Sequence, residues 1–125
     1  MNDTVSDLLA RLQNGIIAKR DYVDVPVTKM VKWILDILKK EEMIVGYVEE
    51  EGVYTVELKY DNGEPVVTKF VRVSKPGLRK YVTSYELKPV MNGRGICIVS
   101  TSQGLMSGAL AKSKKLGGEL ICEVW

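Results

Sequence analysis

The chain has 125 residues, of which 46% are hydrophobic and 27% are charged. These values are ordinary for one globular domain or two small lobes, and they argue against disorder. No apolar run approaches the ~20 residues that a membrane-spanning helix needs. The N-terminus lacks a basic segment followed by an apolar run, so we expect a soluble intracellular protein without a secretory signal.

The chain contains no histidine and two cysteines, Cys97 and Cys122. Histidine is the commonest general base and the commonest metal ligand. No other pairing of a nucleophile with a base stands out, so we expect no enzyme activity, no metal site and no cofactor. Both cysteines lie in apolar, strand-like runs, which predicts free thiols packed as small hydrophobic side chains.

The charge is divided unevenly along the chain. Residues 1–65 contain 8 Lys+Arg and 13 Asp+Glu, a net charge of −5. Residues 66–125 contain 10 Lys+Arg and 3 Asp+Glu, a net charge of +7. Such asymmetry is typical of a polyanion-binding half joined to a neutralising half. Chance clustering of solvated charges gives the same numbers, so charge alone does not decide between the two interpretations.

The first half of the chain predicts an αβαββ order. Apolar residues recur at helical spacing in two segments and alternate in three others. Thr28 is placed to cap the second helix, and Gly15 is placed to end the first. The predicted elements are a helix from Thr4 to about Gly15, a strand over Asp21–Val25, a helix from Thr28 to about Glu42, and strands over Met43–Val48 and Val53–Tyr60.

The second half is predicted to be mostly β-structure with short helices, so the whole is an α+β fold of two small lobes. The turn cluster Asp61–Pro65 is the predicted boundary between a lobe of residues 1–63 and a lobe of residues 64–125. Pro76 and Gly77 predict a type II turn, in which Gly77 takes a positive φ. The predicted elements are strands over Val66–Ser74, Arg79–Val82, Ile96–Val99 and Glu119–Trp125, a short helix or turn over Glu86–Asn92, and a short helix around Ala109–Lys115.

Six short blocks follow one another along the chain: Val25-Pro26, Thr28-Lys29, Ser74 through Arg79, Asn92 through Ile96, Ser100 through Gly104, and Gly117 through Trp125. Their order and spacing resemble those of the bacterial small-subunit ribosomal protein S8 family over essentially the whole chain. The resemblance implies a two-lobed α+β constituent of the small ribosomal subunit, located in the ribosome of the cytoplasm, with an organellar ribosome as the alternative. It also implies binding to a helical region of the central domain of small-subunit ribosomal RNA, contact with neighbouring ribosomal proteins, and no membrane or small-molecule substrate.

The resemblance further implies which residues contact RNA. The primary contact would be the loop formed by Ser100, Thr101, Ser102, Gln103 and Gly104, flanked by Glu119. Small hydroxyl side chains suit the shallow minor groove of RNA, which displays 2′-hydroxyls. Taken without the resemblance, the same loop would be an ordinary Ser/Thr turn. The remaining implied contacts, mostly to the RNA backbone, are Lys75 and Arg79 in the second lobe and Arg11, Asn14 and Lys29 in the first.

Two departures from the family pattern reduce the expected contacts. Gln13 stands where the family often has a second arginine, and residues 107–111 replace a usual charged helix start. The acidic first lobe also leaves a second class of function open, a protein-binding scaffold without RNA contact. A steep fall of affinity with salt would separate the two classes, because phosphate contacts release counterions.

Overall fold

The computed structural model describes residues 4–125, which form three α-helices and ten β-strands. The chain divides into two compact units, the first ending at Phe70 and the second running from Val71 to Trp125. Helices and antiparallel sheets are mixed in the chain, which confirms the predicted α+β class.

Two amphipathic helices form one layer of the first unit. Helix α1 (Thr4–Ile17) and helix α2 (Lys29–Lys40) each bury one apolar stripe. The predicted cap of α2 is confirmed, because the Thr28 hydroxyl accepts a hydrogen bond from the backbone N–H of Val31 at 3.1 Å. The buried side chains are those of Val5, Leu8, Leu9, Leu12 and Ile16 in α1, and of Val31, Ile34, Leu35 and Leu38 in α2.

Gly15 does not end α1, so that prediction was wrong. The helix continues to Ile17 and stops before Lys19, which takes a φ of +54°. Gly15 is buried inside the helix, and a Cβ atom there would lie 2.4 Å from Cγ2 of Val23. The glycine therefore permits close packing of the helix on the neighbouring strand, a contact between residues that lie apart in the sequence.

The second layer of the first unit is a three-stranded antiparallel sheet. Its strands are β1 (Tyr22–Pro26), β2 (Ile44–Glu50) and β3 (Val53–Leu58), in the order β1-β3-β2. Side chains alternate between the two faces, and the face towards the helices buries Tyr54, Val56 and Leu58. Three exposed glutamates lie at the end of β2 and in the turn that follows it, namely Glu49, Glu50 and Glu51.

A small hairpin of β4 (Tyr60–Asp61) and β5 (Glu64–Pro65) follows, turning at Asn62 and Gly63, which both have positive φ. The predicted strand over residues 66–74 was wrong in extent, since only Phe70–Arg72 forms a strand, β6. Residues 66–69 pair with no strand. Their β-branched residues favour extended backbone, but composition alone does not provide a pairing partner.

The second unit is organised by a five-stranded sheet. Its other strands are β7 (Tyr81–Val82), β8 (Ile96–Thr101), β9 (Gly104–Ser107) and β10 (Gly118–Val124). The order is β6-β10-β8-β9, and β7 also pairs with β10. Helix α3 (Gly108–Ser113) contacts β8 and β9. The core cluster of this unit contains Leu87, Val90, Cys97, Val99, Met106 and Ala111.

In the second unit one of two predicted alternatives is found, one prediction is wrong, and one strand was not predicted. Residues 86–92 are not one helix but lie across two 3₁₀ turns, Ser84–Glu86 and Met91–Gly93, because Pro89 disfavours helical backbone at the residue before it. Gly77 does not take the positive φ of a type II turn. Strand β9 was not predicted, since its four residues are too few for alternation to show.

Reciprocal backbone hydrogen bonds of 3.1 and 2.9 Å between Lys75 and Leu78 close the Pro76-Gly77 turn. A turn with negative φ at both central residues satisfies these bonds, so the glycine's extra freedom is not used there.

Candidate nucleic-acid interface

The segment predicted as a hydroxyl loop is the tip of the β8–β9 hairpin. Ser100 and Thr101 end β8, Ser102 and Gln103 form the turn, and Gly104 begins β9 with a φ of +105°. The Thr101 hydroxyl accepts a hydrogen bond from the Gln103 backbone N–H at 3.0 Å and donates one to the Gly104 carbonyl at 2.9 Å. Thr101 therefore organises the turn, and its only proton is already committed.

The serine hydroxyls on either side of Thr101 are arranged differently. Neither Ser100 nor Ser102 donates its hydroxyl proton to another residue of the range 4–125. Ser102 lies exposed at the turn, whereas Ser100 is half-buried on the sheet. The three hydroxyls are thus not equivalent, and two of them remain available to a ligand.

Strand pairing brings Ser100 next to Glu119, 19 residues away in the sequence. The two residues are direct partners in the antiparallel register of β8 and β10, and Glu119 is also the partner of Tyr81 on β7. Side chains of directly opposed residues share one face, with Cβ atoms about 4.5–5.5 Å apart. The structure therefore places Ser100, Glu119 and the exposed ring of Tyr81 in one row across the sheet.

Two consecutive glycines make this row possible. A Cβ atom on Gly118 would lie 2.1 Å from the carbonyl oxygen of Ser100, and one on Gly117 would lie 2.4 Å from the carbonyl oxygen of Val82. Any side chain at either position would collide with the backbone of a neighbouring strand. The glycines thus hold the start of β10 tightly between β7 and β8.

The Glu119 carboxylate is held by two donors. Its Oε2 atom accepts hydrogen bonds from the Ser74 hydroxyl at 2.6 Å and from Nη1 of Arg79 at 2.8 Å. The side chain is 18% exposed. The hydrogen bond from Ser74, helped by the Arg79 guanidinium, holds the pKa of Glu119 below its ordinary value, so the group is an anion at neutral pH.

The basic residues of the second unit differ in what surrounds them. Lys75 is exposed beside the Pro76-Gly77 turn, whereas Arg79 forms the ion pair with Glu119. The unit contains 9 Lys+Arg and 3 Asp+Glu, a net charge of +6. A polyanion would therefore be attracted to this unit as a whole.

The first-unit candidates belong to a separate compact unit. Arg11 and Asn14 are exposed on α1, and Arg11 donates to Asp7 at 3.0 Å and to the carbonyl oxygen of Asp24 at 3.3 Å. Lys29 is exposed in the first turn of α2. The positive charge of Lys29 lies at the positive, N-terminal end of the helix dipole, so it does not stabilise the helix.

Sequence reasoning did not identify Ser74 as part of this arrangement. Ser74 is fully buried, yet its hydroxyl contacts Glu119, 45 residues further along the chain. Its position directly before Lys75-Pro76 identifies it only as part of a sequence motif and indicates no contact with Glu119. A serine in a strand-like segment is equally consistent with a solvated position, so no local signal marks it.

Both cysteines are buried and free, which confirms their predicted packing. Burial raises the pKa of Cys122 to about 12 and also raises the pKa of Cys97. Across residues 4–125, no group of three or more Cys, Asp or Glu side chains is placed to hold a metal ion. No helix in this range is long and apolar enough to cross a membrane.

Comparison with known proteins gives the family. The sequence matches the family described as "Ribosomal protein S8" over residues 3–125. The chain belongs to the ribosomal protein S8 family. The resemblance drawn from the six sequence blocks is thereby confirmed.

Full-length members of the S8 family are closely similar to this chain. A protein of Nitratidesulfovibrio vulgaris named "Small ribosomal subunit protein uS8" is 46% identical over 125 residues, covering 100% of this chain and 99% of the relative. Proteins of the same name from Caulobacter sp. (strain K31) and Alcanivorax borkumensis are 45% and 44% identical, each covering 98% of the relative. The similarity therefore extends over both compact units.

Proposed function

We propose that this protein is a structural constituent of the small ribosomal subunit that binds the central domain of small-subunit ribosomal RNA. The observation that carries the proposal is the row formed by the Ser100 hydroxyl of β8 and the Glu119 carboxylate of β10, beside the tip of the β8–β9 hairpin. In this proposal the protein is not an enzyme and needs no cofactor. It works in the cytoplasmic ribosome, beside neighbouring ribosomal proteins.

The hairpin tip has the chemistry that an RNA minor groove requires. Ser100 and Ser102 each offer one donor and acceptor sites to 2′-hydroxyls and base edges, and the ionised Glu119 accepts from ribose hydroxyls or base amino groups. The exposed Gln103 amide adds a donor and an acceptor, and Gly104 presents no side chain to obstruct close approach. Thr101 contributes by holding the turn.

Phosphate contacts supply the remaining affinity. Lys75 is exposed within a unit of net charge +6 and is the best-placed of the candidates there, since Arg79 is paired with Glu119. In the first unit Lys29 is exposed, and Asn14 offers a neutral donor and acceptor. Arg11 bonds Asp7 through Nε and the Asp24 carbonyl through Nη1, so a phosphate would bind its other guanidinium N–H groups. Such contacts orient a protein on RNA without reading its sequence.

A filter-binding titration tests the proposed hairpin contact. The probe is a transcript of the central domain of the small-subunit RNA from the same organism. The double substitution Ser100→Ala with Ser102→Ala should cost at least ~2 kcal/mol of binding free energy, about 30-fold, at ~1 kcal/mol for each lost hydrogen bond. Ser113→Ala, which removes an exposed hydroxyl from the end of α3, is the matched control and should bind as the wild type does. Equal affinity of the double variant and the control would refute the contact.

The acidic first unit favours one alternative, a protein-binding scaffold without RNA contact. Strands β1, β2 and β3 contain no lysine or arginine. Several cations of the unit are also paired internally, as in Arg11 with Asp7 and Lys32 with Asp36. Salt dependence separates the two functions, since each neutralised phosphate contributes about −0.9 to the slope of log affinity against log salt on duplex nucleic acid. A slope near zero for the RNA transcript would favour the scaffold.

A further inference from the structure

We propose that Ser74 is a positioning residue, which presents the Glu119 carboxylate to RNA in one fixed orientation. This inference rests on the proposed function, because it assigns Ser74 a role only if Glu119 contacts RNA. Ser74 itself is fully buried and touches RNA nowhere. Its effect on binding is therefore transmitted entirely through Glu119.

The hydrogen bonds of Ser74 leave its hydroxyl no freedom. The hydroxyl oxygen accepts from the backbone N–H of Lys80 at 3.1 Å, and the hydroxyl proton goes to Oε2 of Glu119 at 2.6 Å. The backbone N–H of Ser74 bonds to the carbonyl of Leu120 at 3.0 Å, and the N–H of Leu120 bonds to the carbonyl of Lys80 at 2.9 Å. Ser74 is thus held on one side by Leu120, the residue after Glu119, and on the other by Lys80, which directly precedes β7.

A second donor completes the orientation. Nη1 of Arg79 bonds to the same Oε2 atom at 2.8 Å, so this oxygen is occupied by Ser74 and Arg79 together. Rotation of the carboxylate would break both bonds. The Arg79 guanidinium also offsets the negative charge of Glu119, and the repulsion between this glutamate and a bound polyanion is therefore reduced. A carboxylate that is already oriented loses less entropy when RNA binds.

Ser74 could instead stabilise only the fold, and a double-mutant cycle separates the two roles. Ser74→Ala should weaken binding of the central-domain transcript about tenfold. This is the loss expected when the Glu119 carboxylate is no longer held by its charge-assisted hydrogen bond from Ser74. In the Glu119→Ala background the same substitution should have no further effect, because the acceptor through which Ser74 acts is gone. Losses that simply add would overturn the inference.

The pH profile of binding gives a second readout, which a purely structural role would not move. The ionised Glu119 carboxylate accepts more strongly than the protonated group, and its pKa is held low mainly by the hydrogen bond from Ser74. Removal of the hydroxyl raises that pKa towards the ordinary glutamate value. As the pH falls from neutrality, Ser74→Ala should therefore lose affinity at a higher pH than the wild type. Identical pH profiles would contradict the positioning role.

Ser107→Ala is the matched control, since Ser107 is the other buried serine and its hydroxyl accepts from the Leu110 N–H at 3.3 Å, capping α3. It should lower the melting temperature while RNA affinity and the pH profile stay unchanged. If Ser74→Ala does not fold, Ser74→Cys keeps the bulk but donates weakly, and the same cycle and pH profile are then measured with it.

Failure of the proposed function gives a different result from failure of this inference. If Glu119→Ala binds RNA as tightly as the wild type, the Glu119 contact itself is wrong. If Glu119→Ala weakens binding but Ser74→Ala weakens it independently, the contact stands and only the positioning role fails.

Discussion

Replacing Gly118 by alanine should force β8 and β10 apart at the hairpin tip. The added Cβ would lie 2.1 Å from the carbonyl oxygen of Ser100, 2.9 Å from its carbonyl carbon and 3.2 Å from Cα of Thr101. Contacts of a Cβ atom below 3.0 Å are essentially absent from proteins, so the strands must separate by at least 0.9 Å at this point. All three opposing atoms belong to the backbone, which cannot rotate aside as a side chain can.

Overpacking of this kind costs typically ~1–3 kcal/mol of folding free energy. For a chain of this length, each kcal/mol lowers the melting temperature by about 3–6 °C. The separation also moves Ser100 away from Glu119, so one of the proposed RNA contacts should be lost. Loss of a single contact corresponds to about a tenfold weaker affinity.

Thermal melting followed by circular dichroism, combined with the RNA filter-binding titration, measures both effects. Gly77→Ala is the matched control, because a Cβ at Gly77 has no atom within 4 Å and its φ is not positive. Gly77→Ala should therefore melt and bind like the wild type. If Gly118→Ala also behaves like the wild type in both assays, the close approach of β8 and β10 determines neither the stability of the fold nor the affinity for RNA.

Three further substitutions or reactions test other parts of the structure. Thr101→Val removes both hydrogen bonds of the turn and should lower stability by ~1–2 kcal/mol in a denaturant titration; an unchanged midpoint would show that the turn does not depend on the hydroxyl. Cys97 and Cys122 should react slowly with a thiol reagent in the folded protein and quickly after denaturation, because burial raises both pKa values and restricts access; rapid native labelling of Cys97 would contradict its packing. Lys29→Ala should weaken RNA binding by ~1 kcal/mol or less and make the salt slope shallower by about one phosphate, whereas an unchanged slope would show that Lys29 contacts no phosphate.

The repeating features of the sequence were sufficient to predict much of the fold. The apolar stripes of α1 and α2 and the Thr28 cap depend on residues within a few positions of one another, so they can be predicted from the sequence. The same holds for β8 and β10, whose apolar runs bury the two cysteines. The family could be recognised because short blocks at fixed spacing do not depend on knowing the fold.

Tertiary structure decided the features in which residues distant along the chain meet. Gly15 resembles a helix end locally, yet its function is set by Val23 on a strand that packs against it. Ser74 and Glu119 are separated by 45 residues, and only the register of a sheet brings them to 2.6 Å. Local propensity and periodicity specify which elements form, whereas packing and register specify which atoms meet, and the chemistry of the interface depends on the atoms.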